Sequence, residues 1–148
     1  MTKNLVQLKH LVESAVHLFL ANDKDLLNLK VYEPAVSHRI AVYLEKVFMD
    51  KSLNYDCEYN KDFDLPKSMP NGKEIRPDIL IHQRQESKNN ILAIEIKKKR
   101  KSKWDEDKLR ELTNHKGKFA YDLGVFIHFP KDEPEYIWFV NGEVYIFQ

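Results

Sequence analysis

The stretch RPDILIHQRQESKNNILAIEIK, residues 76–97, decides how this chain folds. Two β-rich runs, Asp78 to Gln83 and Asn90 to Lys97, flank a polar segment from Arg84 to Asn89. That pattern predicts a hairpin with a long connection. Side chains alternate between the two faces of a strand. Ile79 and Ile81 therefore share one face, and Asp78, Leu80 and His82 share the other. In the second run Leu92, Ile94 and Ile96 line one face. Glu95 and Lys97 then project together on the opposite face, beside the small Ala93. A hairpin symmetric about Glu86 and Ser87 pairs residues whose numbers total 173, which sets Asp78 opposite Glu95.

Two opposed carboxylates repel, and one pKa rises unless a cation lies between them. A hard divalent cation with oxygen ligands, magnesium or manganese, removes that cost. Held by Asp78 and Glu95, it would polarise a phosphoryl oxygen and acidify a bound water. The ammonium of Lys97 beside it would orient that water or neutralise charge developing on phosphorus oxygens. The expected chemistry is phosphodiester hydrolysis.

Outward from this hairpin, apolar residues at Leu5, Leu8, Leu11, Val12, Ala15, Val16 and Phe19 recur with helical period, predicting a helix over Leu5 to Leu20. A second helix is expected from about Pro34 to Phe48, with the stripe Val36, Ile40, Tyr43, Leu44 and Val47. Leu53 to Tyr59 reads as a strand, and Asp62 to Gly72, with Pro66, Pro70 and Asn71-Gly72, as a loop. Ser102 followed by Asp105 resembles a capping box and starts a helix reaching about His115. Gly124 to Phe129 is a buried type of strand. Glu135 to Val140 and Glu143 to Phe147 flank Asn141-Gly142, a strong hairpin signal. The expected fold is α/β or α+β, with a mixed central sheet flanked by helices and a C-terminal β-hairpin.

The 148 residues suit one domain, residues 1–148, and a 43% hydrophobic fraction supports a real core. Formal net charge is only +1, so a nucleic-acid partner has to be argued from local clustering. Cys57 stands alone, which excludes an intramolecular disulfide and a cysteine-based zinc site and fits a reducing cytoplasm. Nothing at the start reads as a secretory signal, and no apolar run nears the roughly 20 residues of a membrane span. We expect a cytoplasmic protein without a membrane partner. Four glycines form no phosphate-cradling loop, which argues against an ATP-using enzyme.

Pro77-Asp78 followed by Glu95-Ile96-Lys97 resembles the PD-(D/E)xK nuclease superfamily, the restriction-endonuclease-like fold. Longer strings are similar to an uncharacterised bacterial family within it. They are Glu33 before Ser37-His38-Arg39-Ile40-Ala41-Val42-Tyr43-Leu44, then Glu58-Tyr59-Asn60, Pro77 to His82, Asn89-Asn90-Ile91-Leu92, and Asp105 with Lys108-Leu109. The resemblance spans roughly residues 30 to 130. It implies that Asp78 and Glu95 bind metal, that the carbonyl of Ile96 joins them, and that Lys97 is the catalytic lysine. It implies a further acid from the preceding helix, best matched by Glu33. Glu33 lies seven and eleven residues before Ile40 and Leu44, hence above the core-facing stripe. Lys108 matches a polar residue near the phosphate.

Each residue also has a plainer reading. Pro-Asp is common in turns, and Glu95 with Lys97 suits the solvated face of an edge strand. The basic run Lys98, Lys99, Arg100, Lys101 and Lys103 reads as a phosphate-backbone contact or as a solvated loop. His82 reads as a partly buried strand histidine, and Trp104 and Trp138 as core or sheet-surface aromatics. The combined expectation is a small magnesium- or manganese-dependent nuclease acting on DNA. From its size, it would be a homodimer, a structure- or end-selective enzyme or one component of a larger bacterial DNA-processing or defence system. The competing expectation is a catalytically weak or inactive nuclease-fold module that binds nucleic acid or a protein partner with little or no hydrolysis.

Overall fold

Alternation along the central strands sorts the molecule into layers. The computed structural model describes residues 3–28, 33–63, 65–86, 88–98 and 101–148. Helices α1 (Leu5–Asp23), α2 (Asp25–Asn28) and α3 (Glu33–Phe48) come first. Strand β1 (Asn54–Cys57) and the short strands β2 (Lys61–Asp62) and β3 (Leu65–Pro66) follow, then β4 (Ile79–His82) and β5 (Leu92–Lys97). Helix α4 (Lys103–Thr113) leads to β6 (Leu123–His128), β7 (Glu135–Val140) and β8 (Glu143–Tyr145). Six strands form one mixed sheet in the order β1-β4-β5-β6-β7-β8. Only β5 and β6 run parallel, joined through α4. The sheet is mixed, helices flank it, and β7 and β8 form the expected C-terminal hairpin.

The expected register holds. Ile79 pairs with Ile94, Leu80 with Ala93 and Ile81 with Leu92, each pair totalling 173. Ile79, Ile81, Leu92, Ile94 and Ile96 pack with α1 and α3 through Leu8, Val12, Phe19, Ile40 and Leu44. Leu80 and Ala93 pack on the other face with Leu109 and Leu112 of α4 and with Phe126 and Phe139. Each such fully buried aliphatic side chain contributes about 1.5–3 kcal/mol, so the apolar pattern fixes which face the polar residues take.

Ser102 caps α4 by accepting a hydrogen bond from the Asp105 amide at 3.3 Å. The other end of α4 is tied to the β7–β8 turn. Gly142 N donates to Thr113 Oγ1 at 3.1 Å, and Arg110 donates to the Gly142 carbonyl at 3.2 Å. Asn141 and Gly142 both have positive φ, 50° and 77°, as this turn requires.

The boundaries depart from the sequence reading in places. Helix α1 continues past Leu20 to Asp23, and Asn22 stays inside it by donating to the Leu18 carbonyl at 2.8 Å. The segment expected as a loop from Asp62 to Gly72 includes the end of β2 and all of β3, which pair antiparallel, and Ser68 in it bridges to Glu74. Helix α3 begins one residue early, at Glu33, and β8 stops at Tyr145. Among the described residues, no helix is long and apolar enough to cross a membrane.

Candidate active site

Asp78 stands just before β4, where the register carries it opposite Glu95. Its backbone is held at both ends: the carbonyl accepts from Glu58 N at 3.1 Å, and the amide donates to Glu95 Oε2 at 3.1 Å. Its own Oδ2 accepts from the Ile96 amide at 2.7 Å. The two carboxylates are thus interlaced, each fixed by the backbone of the other's strand. This is possible because the last β4–β5 pair is Ile79 with Ile94, so the β4-side edge of β5 is free beyond that point. The Ile96 carbonyl, expected as a ligand, belongs to this extended part of β5.

Helix α4 brings in the expected Lys108 and, beside it, the carboxylate of Asp105. Lys108 is buried, and its ammonium lies 2.7 Å from Glu95 Oε1 and 3.0 Å from Asp105 Oδ1. Lys108 therefore faces Glu95 from inside the site. Asp105 is expected as a helix-capping acid. Its amide does serve the cap, but its carboxylate turns inward and is 4% exposed by residue. Asp105 Oδ2 is buried without a hydrogen-bond partner, 3.6 Å from Lys97 Nζ. The available signal was the three-residue spacing of Asp105 and Lys108, which places them on one helix face.

Lys97 is partly exposed and sits between Asp105 and Glu33, 3.6 Å from a carboxylate oxygen of each. Glu33 opens α3 and reaches across to accept from Lys98 N at 2.9 Å. The structure brings Glu33 to the group through Lys97 and the start of the basic run. Lys101 and Lys103 are exposed, and Lys103 pairs with Asp107 at 3.0 Å. Lys99 and Arg100 lie outside the described residues. His82 shares the face of Asp78 but bonds to Asp56 at 2.8 Å, which matches the buried strand histidine expected of it.

The electrostatics follow from burial. Asp78 is pushed up to about 6, chiefly because burial disfavours its charge. Glu95 lies well above the ordinary carboxylate range, first through burial and then through the charge of Asp78. Burial alone would lower Lys97 and Lys108. Asp105 and Glu33 outweigh it at Lys97, and Glu95 and Asp105 at Lys108, so both hold their protons firmly. Lys97 is therefore a cation and not a base at neutral pH.

Four carboxylates (Glu33, Asp78, Glu95, Asp105) meet two ammonium groups (Lys97, Lys108), leaving two negative charges in excess when all are ionised. All the donors are oxygen, which suits a hard divalent cation. Among the described residues, no three acidic, histidine or cysteine side chains yet converge as a metal-binding group. Lys108 occupies the space beside Glu95 that a cation would need. Comparison with family models, with curated proteins and with solved structures gave no match for this chain.

Proposed function

We propose that this chain is a metal-dependent phosphodiesterase of the PD-(D/E)xK nuclease type, acting on DNA, with magnesium or manganese as cofactor. The observation that carries the reading is the interlaced pair of Asp78 and Glu95, with Lys97 on the same face and an excess of two negative charges when all six groups are ionised. Asp78 and Glu95 would hold the cation, with Glu33, Asp105 and the Ile96 carbonyl at its margin. When bound, the cation supplies Lewis-acid polarisation of the phosphoryl oxygen and an acidified water. Lys97 holds a positive charge where charge develops on the phosphate. Glu33 and Asp105 hold the Lys97 ammonium between them, limiting its rotamers. Lys98, Lys99, Arg100, Lys101 and Lys103 follow directly on β5, where a basic segment meets phosphates. A restriction-endonuclease-like arrangement belongs to this same reading.

One observation favours a second reading. The Lys108 ammonium already neutralises Glu95 within a buried pair, so the site is partly complete without metal. The chain would then be a nuclease-fold module that binds nucleic acid or a partner protein without hydrolysis.

The test is incubation with linear, plasmid, branched and single-stranded DNA, and with RNA, in manganese or in chelator. The enzyme reading expects metal-dependent cleavage lost in Lys97→Ala and Asp78→Ala. Cleavage that survives in either variant, or in chelator, overturns it. Calorimetric titration with manganese separates the second reading, which expects no binding that depends on Asp78.

A further inference from the structure

At the other end of β4, on the face shared with Asp78, a separate pocket is built around a buried lysine. Lys67 is 4% exposed. Its backbone is fixed by Lys67 N donating to Asn60 O at 2.6 Å and Ile75 N donating to Lys67 O at 2.8 Å. Its ammonium donates to the Lys61 carbonyl and lies 4.8 Å from the centre of the Tyr59 ring and 5.7 Å from that of Phe119. No carboxylate of the described residues forms an ion pair with it. Of the described acids nearby, Asp62 pairs with Lys118 at 3.1 Å, Asp56 pairs with His82 and Arg84, and Glu86 stands at the pocket without forming an ion pair with Lys67. A buried charge without a counter-ion is costly, and aromatic faces return only part of that cost. Burial pushes the Lys67 ammonium down to about 8, yet it remains largely charged at neutral pH.

The lining explains what would complete it. Lys118 and Lys61 stand at the same pocket, the side-chain amides of Gln83, Gln85 and Asn90 supply neutral donors, and Phe63 is exposed beside them. Three lysines against the two carboxylates of Asp62 and Glu86, with amide donors and aromatic surface around an ammonium that no described carboxylate pairs, match an oxyanion.

We propose that the Lys67 pocket binds a phosphate group, with Lys67 as the buried counter-charge and Lys118 at the rim. The site is distinct from Asp78 and Glu95. Four residues of extended strand separate Asp78 from His82, about 13 Å. At about 3.4 Å of axial rise per nucleotide, one strand touching both sites spans about four nucleotides. The pocket's affinity for phosphate does not depend on the proposed hydrolysis; only this spacing does.

Inorganic phosphate titrated into the full chain, followed by amide and lysine side-chain NMR, is the test. Saturable shifts are expected at Lys67, Tyr59, His82 and Phe119. Lys67→Met, which keeps the apolar stem between the two rings, should weaken binding at least tenfold, and Lys118→Ala about threefold. Asp78→Ala should bind as the wild type does, so a failed nuclease assay leaves this result standing. Oligonucleotides with a 5′-phosphate or a 5′-hydroxyl then identify the source. Preference for the former marks a terminal phosphate and equal binding a diester, while binding of neither marks free phosphate. Unsaturable shifts that sodium chloride reproduces at equal ionic strength overturn the proposal. So do equal affinities in Lys67→Met and wild type. Should Lys67→Met not fold, shifts confined to other surfaces of the wild type overturn it equally.

Discussion

Asp78 is kept in a place that disfavours its charge. Its pKa of about 6 stands above the ordinary 3.8, so the folded state holds the proton more tightly than the unfolded chain does. The stability this contributes is fully present below about pH 4 and is lost as pH rises through 6. Above pH 6, without metal, the ionised carboxylate opposes folding. Asp78→Asn keeps an acceptor for the Ile96 amide and removes the charge. In chelator it should raise stability by about 1–2 kcal/mol at pH 8, after discounting for partial exposure, and by almost nothing at pH 4. Chemical denaturation at the two pH values measures this; an equal change at both would place the effect elsewhere. Lys108 gives a complementary expectation. If a divalent cation has to displace its ammonium from Glu95, Lys108→Met removes the competitor and should tighten manganese binding about tenfold, or about 1.4 kcal/mol. The same change breaks a buried pair and should cost about 3–5 kcal/mol of metal-free stability, so calorimetry needs a folded-fraction check by circular dichroism.

Helix α4 sets how closely Lys108 and Asp105 approach Glu95, and Gly124 on β6 sets how closely α4 lies on the sheet. A Cβ at Gly124 would stand 2.9 Å from Thr113 Cγ2 and 3.4 Å from Leu109 Cδ2. Thr113 cannot rotate freely, because its hydroxyl donates to the Leu109 carbonyl and accepts from Gly142 N. Gly124→Ala should therefore lift α4 and cost about 1–3 kcal/mol, with the Lys108 resonances shifted in NMR although the mutation is remote from them. Unshifted Lys108 signals would mean that α4 is held by other contacts. This dependence on α4 also explains what the sequence made legible. The period of two along residues 78–97 reaches the face and the register of Asp78, Glu95 and Lys97, because both are properties of neighbouring strands. The placement of Asp105 and Lys108 depends on how a helix crosses a sheet, which local pattern does not encode. Asp105 therefore reads as a cap, and Lys108 as a cation near the phosphate rather than as the partner of Glu95. Glu33 was legible as a face above the helix stripe, but its reach to the Lys98 amide arises only when α3 is docked.

At the scale of the molecule, the site joins both layers: α3 contributes Glu33 from one side of the sheet, and α4 contributes Asp105 and Lys108 from the other. A cation that binds this junction binds only the folded chain, since the unfolded chain separates these residues. Such a ligand stabilises by mass action, about 2.7 kcal/mol at a free concentration one hundred times its Kd. For a chain of 148 residues that corresponds to a rise of roughly 5–10 °C in Tm. Manganese should produce this rise in the wild type, chelator should reverse it, and Asp78→Ala should abolish it. The Asp78→Asn variant should also start from a higher metal-free Tm at pH 8, because it removes the disfavoured charge and keeps an acceptor for the Ile96 amide. The two effects are therefore opposed in the wild type: the carboxylates that weaken the empty fold are those that tie both layers together once a cation sits among them. A wild-type Tm indifferent to manganese, with the pH dependence at Asp78 still present, would leave the buried charges unexplained by metal and favour the permanently neutralised site that Lys108 provides.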